Sequence, residues 1–161
     1  MPNAVEIQIG TILQARGLKL VLAESCTGGL VGSRITDVPG SSEYFLGGVV
    51  AYAYVAKVDL LGVSWDTLNT RGAVSRETVL EMARGVRQRM KADLAVSVSG
   101  IAGPGGGTPE KPVGTTWIGL AAEDREWAKM YQFSEDREGN KALAAEAALN
   151  LLLDYLQGNL T

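Results

Sequence analysis

The segment Leu20–Gly29, LVLAESCTGG, decides how the rest of the chain is read. Leu20-Val21-Leu22-Ala23 is an unbroken apolar run of the kind that fills a strand buried on both faces. The run breaks into Glu24-Ser25-Cys26-Thr27 and Gly28-Gly29, and a helical rhythm resumes at Leu30, Val31 and Ile35. Hydroxyls, a thiol and a glycine pair between a strand and a helix gather nucleophiles and backbone N–H donors outside a strand's carboxyl end. Open α/β sheets bind their ligands there. An ordinary strand–helix turn with a Ser or Thr cap has the same composition, so spacing alone leaves the two readings level.

Outward from this segment the elements alternate. Upstream, Val5, Ile9, Ile12 and Leu13 recur at helical spacing, which predicts a helix over about 4–16 stopped by Gly17. The first strand is expected over 19–23 and the following helix over 28–36. After the turn at Val38-Pro39-Gly40-Ser41-Ser42, a serine hydroxyl can cap a short helix through Glu43-Tyr44-Phe45. Gly47-Gly48 then leads into a second strand, Val49-Val50-Ala51-Tyr52, followed by short helices over 54–61 and 66–69.

Ser75 reads as the N-cap of a helix to about Lys91, with Val79, Met82, Ala83, Val86 and Met90 on one face. Leu94–Ser99 is a valine-rich, central strand. Thr115–Ala122 and Trp127–Phe133 read as a hairpin, and 140–156 as the closing helix. An order that alternates and then ends in an antiparallel pair implies an α/β fold, a mixed sheet covered by helices on both faces. No repeat or linker divides the 161 residues, so one domain over 1–161 is expected.

Composition narrows the function. The net charge of −3, with Lys and Arg dispersed, argues against a nucleic-acid partner. No apolar run is long enough to span a bilayer and the start MPNAVEIQIG has no basic n-region, so no membrane partner and a cytoplasmic location are expected. A single cysteine, Cys26, excludes an internal disulfide and reads as packing more readily than as a thiolate. The chain has no histidine, which removes Ser-His-Asp and Cys-His catalysis and the common zinc sites. Any base must be Lys, Tyr, Asp or Glu.

Two further stretches could carry chemistry. Gly100-Ile101-Ala102-Gly103-Pro104-Gly105-Gly106-Gly107-Thr108 follows a strand as phosphate loops do, yet has neither the Gly-Lys-Ser/Thr of a Walker A loop nor GxGxxG. Four glycines within five residues favour close backbone approach to a ligand over a merely mobile loop. Lys57 lies five residues past Tyr52, placing both near the carboxyl end of the second strand. A lysine becomes a general base where burial lowers its pKa, and a solvated helix lysine is the plainer reading.

These residues also carry a resemblance. AESCTGG, PGSS-x-YF-x-GG-VVAY, AK-x-x-LLGV, GAVS-x-ETV-x-EMA-x-G and SGIAGPGGGTPEKPVGT, in this order over about 5–157, together resemble the CinA C-terminal family, the nicotinamide-nucleotide amidases. The resemblance implies a single three-layer α/β/α domain with a mixed, mostly parallel sheet. It also implies hydrolysis of the carboxamide of nicotinamide mononucleotide to nicotinate mononucleotide and ammonia. No cofactor or metal would be needed; the partners would be a small nucleotide substrate and, as a homo-oligomer, further copies of the chain.

The residues that match the family's site are Ser25, Ser42, Tyr52, Lys57, Ser99 and, after the last strand, Arg137. The reading favoured on this basis makes Ser42 the nucleophile, Lys57 its base and Tyr52 a proton relay, with Ser25 the rival nucleophile. Thr27 and the Gly28 and Gly29 amides would hold phosphate or carboxamide at a helix N-terminus. Gly100, Gly103, Gly105 and Gly106 would line the ribose-phosphate pocket with Arg137 as countercharge.

Departures from the family pattern temper this. Its AYSN is here Ala51-Tyr52-Ala53-Tyr54, and its GDR-x-x-VR becomes Glu135-Asp136-Arg137 with Lys141 in place of the second arginine. The family's longer members carry an N-terminal nucleotide-processing domain, whose activity is not expected here. A nucleotide- or partner-binding module that has lost turnover is the alternative function. A competence or DNA-repair accessory role fits the charge poorly.

Overall fold

The structure, a computed structural model, describes residues 3–160. In chain order the elements are α1 (Val5–Arg16), β1 (Leu20–Glu24), α2 (Leu30–Thr36), a 3-10 turn (Ser41–Glu43), β2 (Phe45–Val50), α3 (Tyr54–Leu61), α4 (Trp65–Arg71), α5 (Arg76–Met90), β3 (Leu94–Gly100), β4 (Thr115–Ala121), β5 (Glu126–Gln132) and α6 (Arg137–Leu156). The sheet order is β2-β1-β3-β4-β5. β1 pairs in parallel with β2 and β3, while β4 runs antiparallel to both β3 and β5. Four strands therefore point one way and β4 alone is reversed.

The period-two alternation of the central strands divides the core. Leu20, Leu22, Leu94, Val96, Val98, Ile118 and Leu120 meet the apolar faces of α1, α2 and α6. Val21, Ala23, Ala95 and Ala121 meet Val79, Met82, Ala83 and Val86 of α5, with Leu61 and Leu68 from α3 and α4. The result is the expected three-layer α/β/α arrangement. Arg34 joins three helices of the first layer, donating to Glu6 of α1 at 2.9 Å and to Glu146 of α6.

β2 starts earlier than the glycine pair suggests. Tyr44 ends the turn and Gly47-Gly48 belongs to the strand, with Gly47 and Gly48 paired against Val21 and Leu22. A Cβ at Gly48 would sit 3.2 Å from the Leu22 carbonyl oxygen, so the glycine is there because β1 passes close by. At the other end, α6 begins at Arg137, three residues before its apolar periodicity, because the Asp136 carboxylate caps it by accepting from the Gly139 amide at 2.8 Å.

Both parallel crossovers bring helix N-termini to the carboxyl ends of β1, β2 and β3. β5 also ends there, since Gln132 pairs with Thr115 at the start of β4, so the N-terminus of α6 joins them.

Candidate active site

At this end of the sheet Lys57 is 1% exposed, among the most deeply buried large side chains in the protein. It lies in α3, whose apolar inner face holds Leu61 in the core and carries the stem inward. Its Nζ donates to Ser25 Oγ at 2.9 Å and to the main-chain carbonyls of Ala51 at 2.8 Å and Tyr52 at 2.9 Å. Among the described residues no carboxylate forms an ion pair with it. Burial pushes its pKa from the ordinary 10.5 down to about 8, with the Cys26 thiol opposing weakly.

Three acceptors saturate an ammonium. In the neutral amine, two N–H bonds held by the Ala51 and Tyr52 carbonyls leave the lone pair for the Ser25 hydroxyl.

Ser25 is itself fixed by main chain. Its amide donates to the Val98 carbonyl at 2.9 Å, extending the β1–β3 ladder by one residue. Since Glu24 pairs with Val98 and Ser99 with Trp117, Ser25, Ser99 and Trp117 form a row across three adjacent strands. Val21 and Ala23 on β1, and Ala95 on β3, place this row on the α5 face.

Tyr52 links the pair to Arg137, its carbonyl accepting from Lys57 and its hydroxyl from Arg137. Tyr52 is 56% exposed, and its hydroxyl accepts from Arg137 Nη2 at 3.0 Å. Arg137 Nη1 donates to the Gly103 carbonyl at 2.7 Å, and Asn140 Nδ2 to the Ala102 carbonyl at 3.0 Å. The first turn of α6 thus straps down the glycine-rich loop. That loop owes glycines to its own packing: Gly103 has φ +88°, and a Cβ there would meet Val113 Cγ1 at 2.5 Å. Gly105 and Gly106 face outward and are exposed.

The structure does not bring Ser42 to Lys57. Ser42 is exposed in the 3-10 turn before β2, next to the start of β1, whereas Lys57 follows the far end of β2. A six-residue strand separates them by on the order of 15–20 Å. The hydroxyl within reach of Lys57 is that of Ser25.

The helix-end anion site expected from Thr27, Gly28 and Gly29 is also corrected. A buried carboxylate already fills it: Glu24 accepts from Thr27 Oγ1 at 2.6 Å and from the amides of Gly29 at 3.2 Å, Val31 at 2.9 Å and Gly32 at 2.9 Å. The Gly28 amide donates to the Ser25 carbonyl at 3.1 Å. Thr27 is 2% exposed and its hydroxyl is spent on Glu24. Cys26 is buried in the core, and burial pushes its thiol up to about 11, so it is a packing residue.

Sequence reading passed over Glu24 and Asn140. The signals were a Glu just before a helix start and an Asn inside an otherwise apolar helix face. Among the described residues no helix is long and apolar enough to cross a membrane.

A five-stranded α/β/α fold with a serine held against a buried lysine, and no histidine in the chain, defines a class of protein. The chain belongs to the CinA C-terminal domain family, whose model matches residues 3–156. It is 48% identical to a CinA-like protein of Chloroherpeton thalassium, covering 96% of this chain and 38% of that relative. The chain thus spans under two-fifths of the length of the curated relatives it matches.

Among solved structures it resembles the competence/damage inducible protein CihA from Agrobacterium tumefaciens, with 40% identity, a TM-score of 0.92 and coverage of 95% of this chain and 93% of that one. It also resembles competence damage-inducible protein A from Klebsiella pneumoniae, with 35% identity, a TM-score of 0.92 and coverage of 95% of each chain.

Proposed function

We propose that the protein is an amidohydrolase that converts nicotinamide mononucleotide to nicotinate mononucleotide and ammonia, with Ser25 as nucleophile and Lys57 as its general base. The observation that carries this reading is the 2.9 Å contact between Ser25 Oγ and the Nζ of a lysine that is 1% exposed, with a pKa of about 8. An amine in that state is neutral in roughly one-tenth of molecules at pH 7, enough to act as a base and still able to return a proton.

In the acylation step Nζ takes the Ser25 proton as Oγ attacks the carboxamide carbon, forming the C–O bond and placing the carbonyl electrons on oxygen. The amides of Cys26 and Thr27 have no acceptor among the described residues and are the donors proposed for that oxyanion. Collapse breaks the C–N bond, and the ammonium of Lys57 protonates the leaving nitrogen, releasing ammonia. Water, deprotonated by the same amine, cleaves the acyl ester and restores Ser25. Tyr52, whose carbonyl holds the Lys57 amine and whose hydroxyl is held by Arg137, is the proposed proton relay to solvent.

The test is ammonia release from nicotinamide mononucleotide by wild type and by Ser25→Ala, Lys57→Ala and Ser42→Ala. Loss of at least a hundredfold in the first two, with Ser42→Ala within about twofold of wild type, is the expected result. Turnover retained in Ser25→Ala would remove Ser25 from the role. Binding of the nucleotide by wild type without ammonia release would favour a non-catalytic nucleotide-binding module.

A further inference from the structure

The amidase reading leaves the nucleotide's phosphate without a partner, and two places at this end of the sheet do not suit it. The N-terminus of α2 is filled by the Glu24 carboxylate. A groove of about 520 Å³ beside the glycine loop is lined by Glu135, Asp136 and Glu138 around the single cation Arg137, which is itself engaged with Gly103 and Tyr52.

The opposite side of the same loop differs. A groove of about 510 Å³ between the α4–α5 turn and the loop is lined by Arg71, Arg76, Lys111 and Trp117, with one carboxylate, Glu77. Three cations against one acid make a locally positive surface on a chain of net charge −3. The groove's cations keep donors to spare. Arg76 makes no hydrogen bond or ion pair among the described residues, and Arg71 meets Glu77 only at 3.9 Å, both being well exposed. Lys111 Nζ spends one of its donors on the Arg71 carbonyl at 2.5 Å, which brings it over Gly72 and fixes it at the groove wall.

The groove is also in line with the chemistry. Trp117 is the third member of the row Ser25, Ser99, Trp117, so it stands two strand spacings, about 10 Å, from the nucleophile on the same face. That span is comparable to the distance between the reacting amide and the phosphate of a mononucleotide.

We propose that this groove is the anion subsite for the phosphate of the substrate, with Arg71, Arg76 and Lys111 as its ligands and Trp117 as its inner wall. The proposal rests on the amidase reading for the orientation of the substrate. It makes the protein an enzyme of mononucleotides, with nucleosides handled poorly.

The probes are nicotinamide mononucleotide and nicotinamide riboside, and the variant is R71Q/R76Q, which alters two exposed side chains and leaves the core intact. The ratio of kcat/KM for mononucleotide to kcat/KM for riboside is expected to fall about tenfold or more, chiefly through KM, and to fall with added salt in wild type. An unchanged ratio would overturn the proposal.

If wild type hydrolyses neither compound, the amidase reading fails by itself and calorimetric titration with the mononucleotide decides the groove. Affinity reduced about tenfold in R71Q/R76Q supports the subsite. Undiminished affinity, or no binding to wild type, refutes it.

Discussion

Replacing Lys57 by methionine separates the energetic consequence of burying an amine from everything else the residue does. The amine's pKa is about 8 in the native protein and 10.5 ordinarily, and burial is the cause. Because the native value is depressed, both states are protonated below about pH 8 and both neutral above about 10.5. Between those limits the unfolded chain holds more protons, so stability rises with pH across the window and levels off beyond it. A gap of about 2.5 units at about 1.4 kcal/mol per unit amounts to roughly 3 kcal/mol.

Methionine has a similar unbranched stem and does not titrate. The unfolding free energy of wild type minus that of Lys57→Met is therefore expected to climb by roughly 3 kcal/mol between about pH 7.5 and 10.5. Tyrosines titrating in this range are common to both proteins and cancel. Urea denaturation at several pH values measures the difference. Parallel profiles, or a difference that shrinks as pH rises, would refute the claim that burial depresses the pKa of the Lys57 amine. At neutral pH, removing a desolvated ammonium offsets the lost bonds to the Ala51 and Tyr52 carbonyls, about 1 kcal/mol each. The variant should stay folded there and be inactive.

Three other substitutions test the scaffold. Glu24→Gln, which cannot accept equally at both oxygens and carries no charge toward the start of α2, is expected to cost about 2 kcal/mol in thermal or urea unfolding. Gly85→Ala would place a Cβ 1.7 Å from the Leu61 carbonyl oxygen and force α3 from α5; a loss of about 2 kcal/mol or more is expected, and an unaltered urea midpoint would contradict that packing. Ala53 is the N-cap of α3 in extended geometry with no side-chain acceptor, so Ala53→Ser should raise stability by about 0.5–1 kcal/mol, read as a higher melting temperature.

Much of this could be read before any coordinates. β1 and β3 are continuous apolar runs and α5 has both a cap and a clean stripe, so local signals fixed their type. β2 was misplaced because Gly47-Gly48 reads locally as a break; its reason is the approach of Leu22, a contact distant in sequence.

The site divides the same way. That Ser25, Tyr52 and Lys57 follow strand ends is a local inference. The pairing of Ser42 with Lys57 rests on the family resemblance alone, and no local signal shows that β2 crosses the sheet from one end to the other between them. The Glu24 carboxylate left no mark in the sequence beyond its position, since its partners are chiefly main-chain amides that every residue possesses.

That carboxylate bears on the design of inhibitors for the proposed amidase. The start of α2, the first place a medicinal chemist would aim a sulfonate or phosphonate, meets such a group with a negative charge already in residence. An uncharged electrophile directed at Ser25 Oγ, with any acidic tail laid toward Trp117, avoids that repulsion and would be held by a bond that Lys57 helps to form.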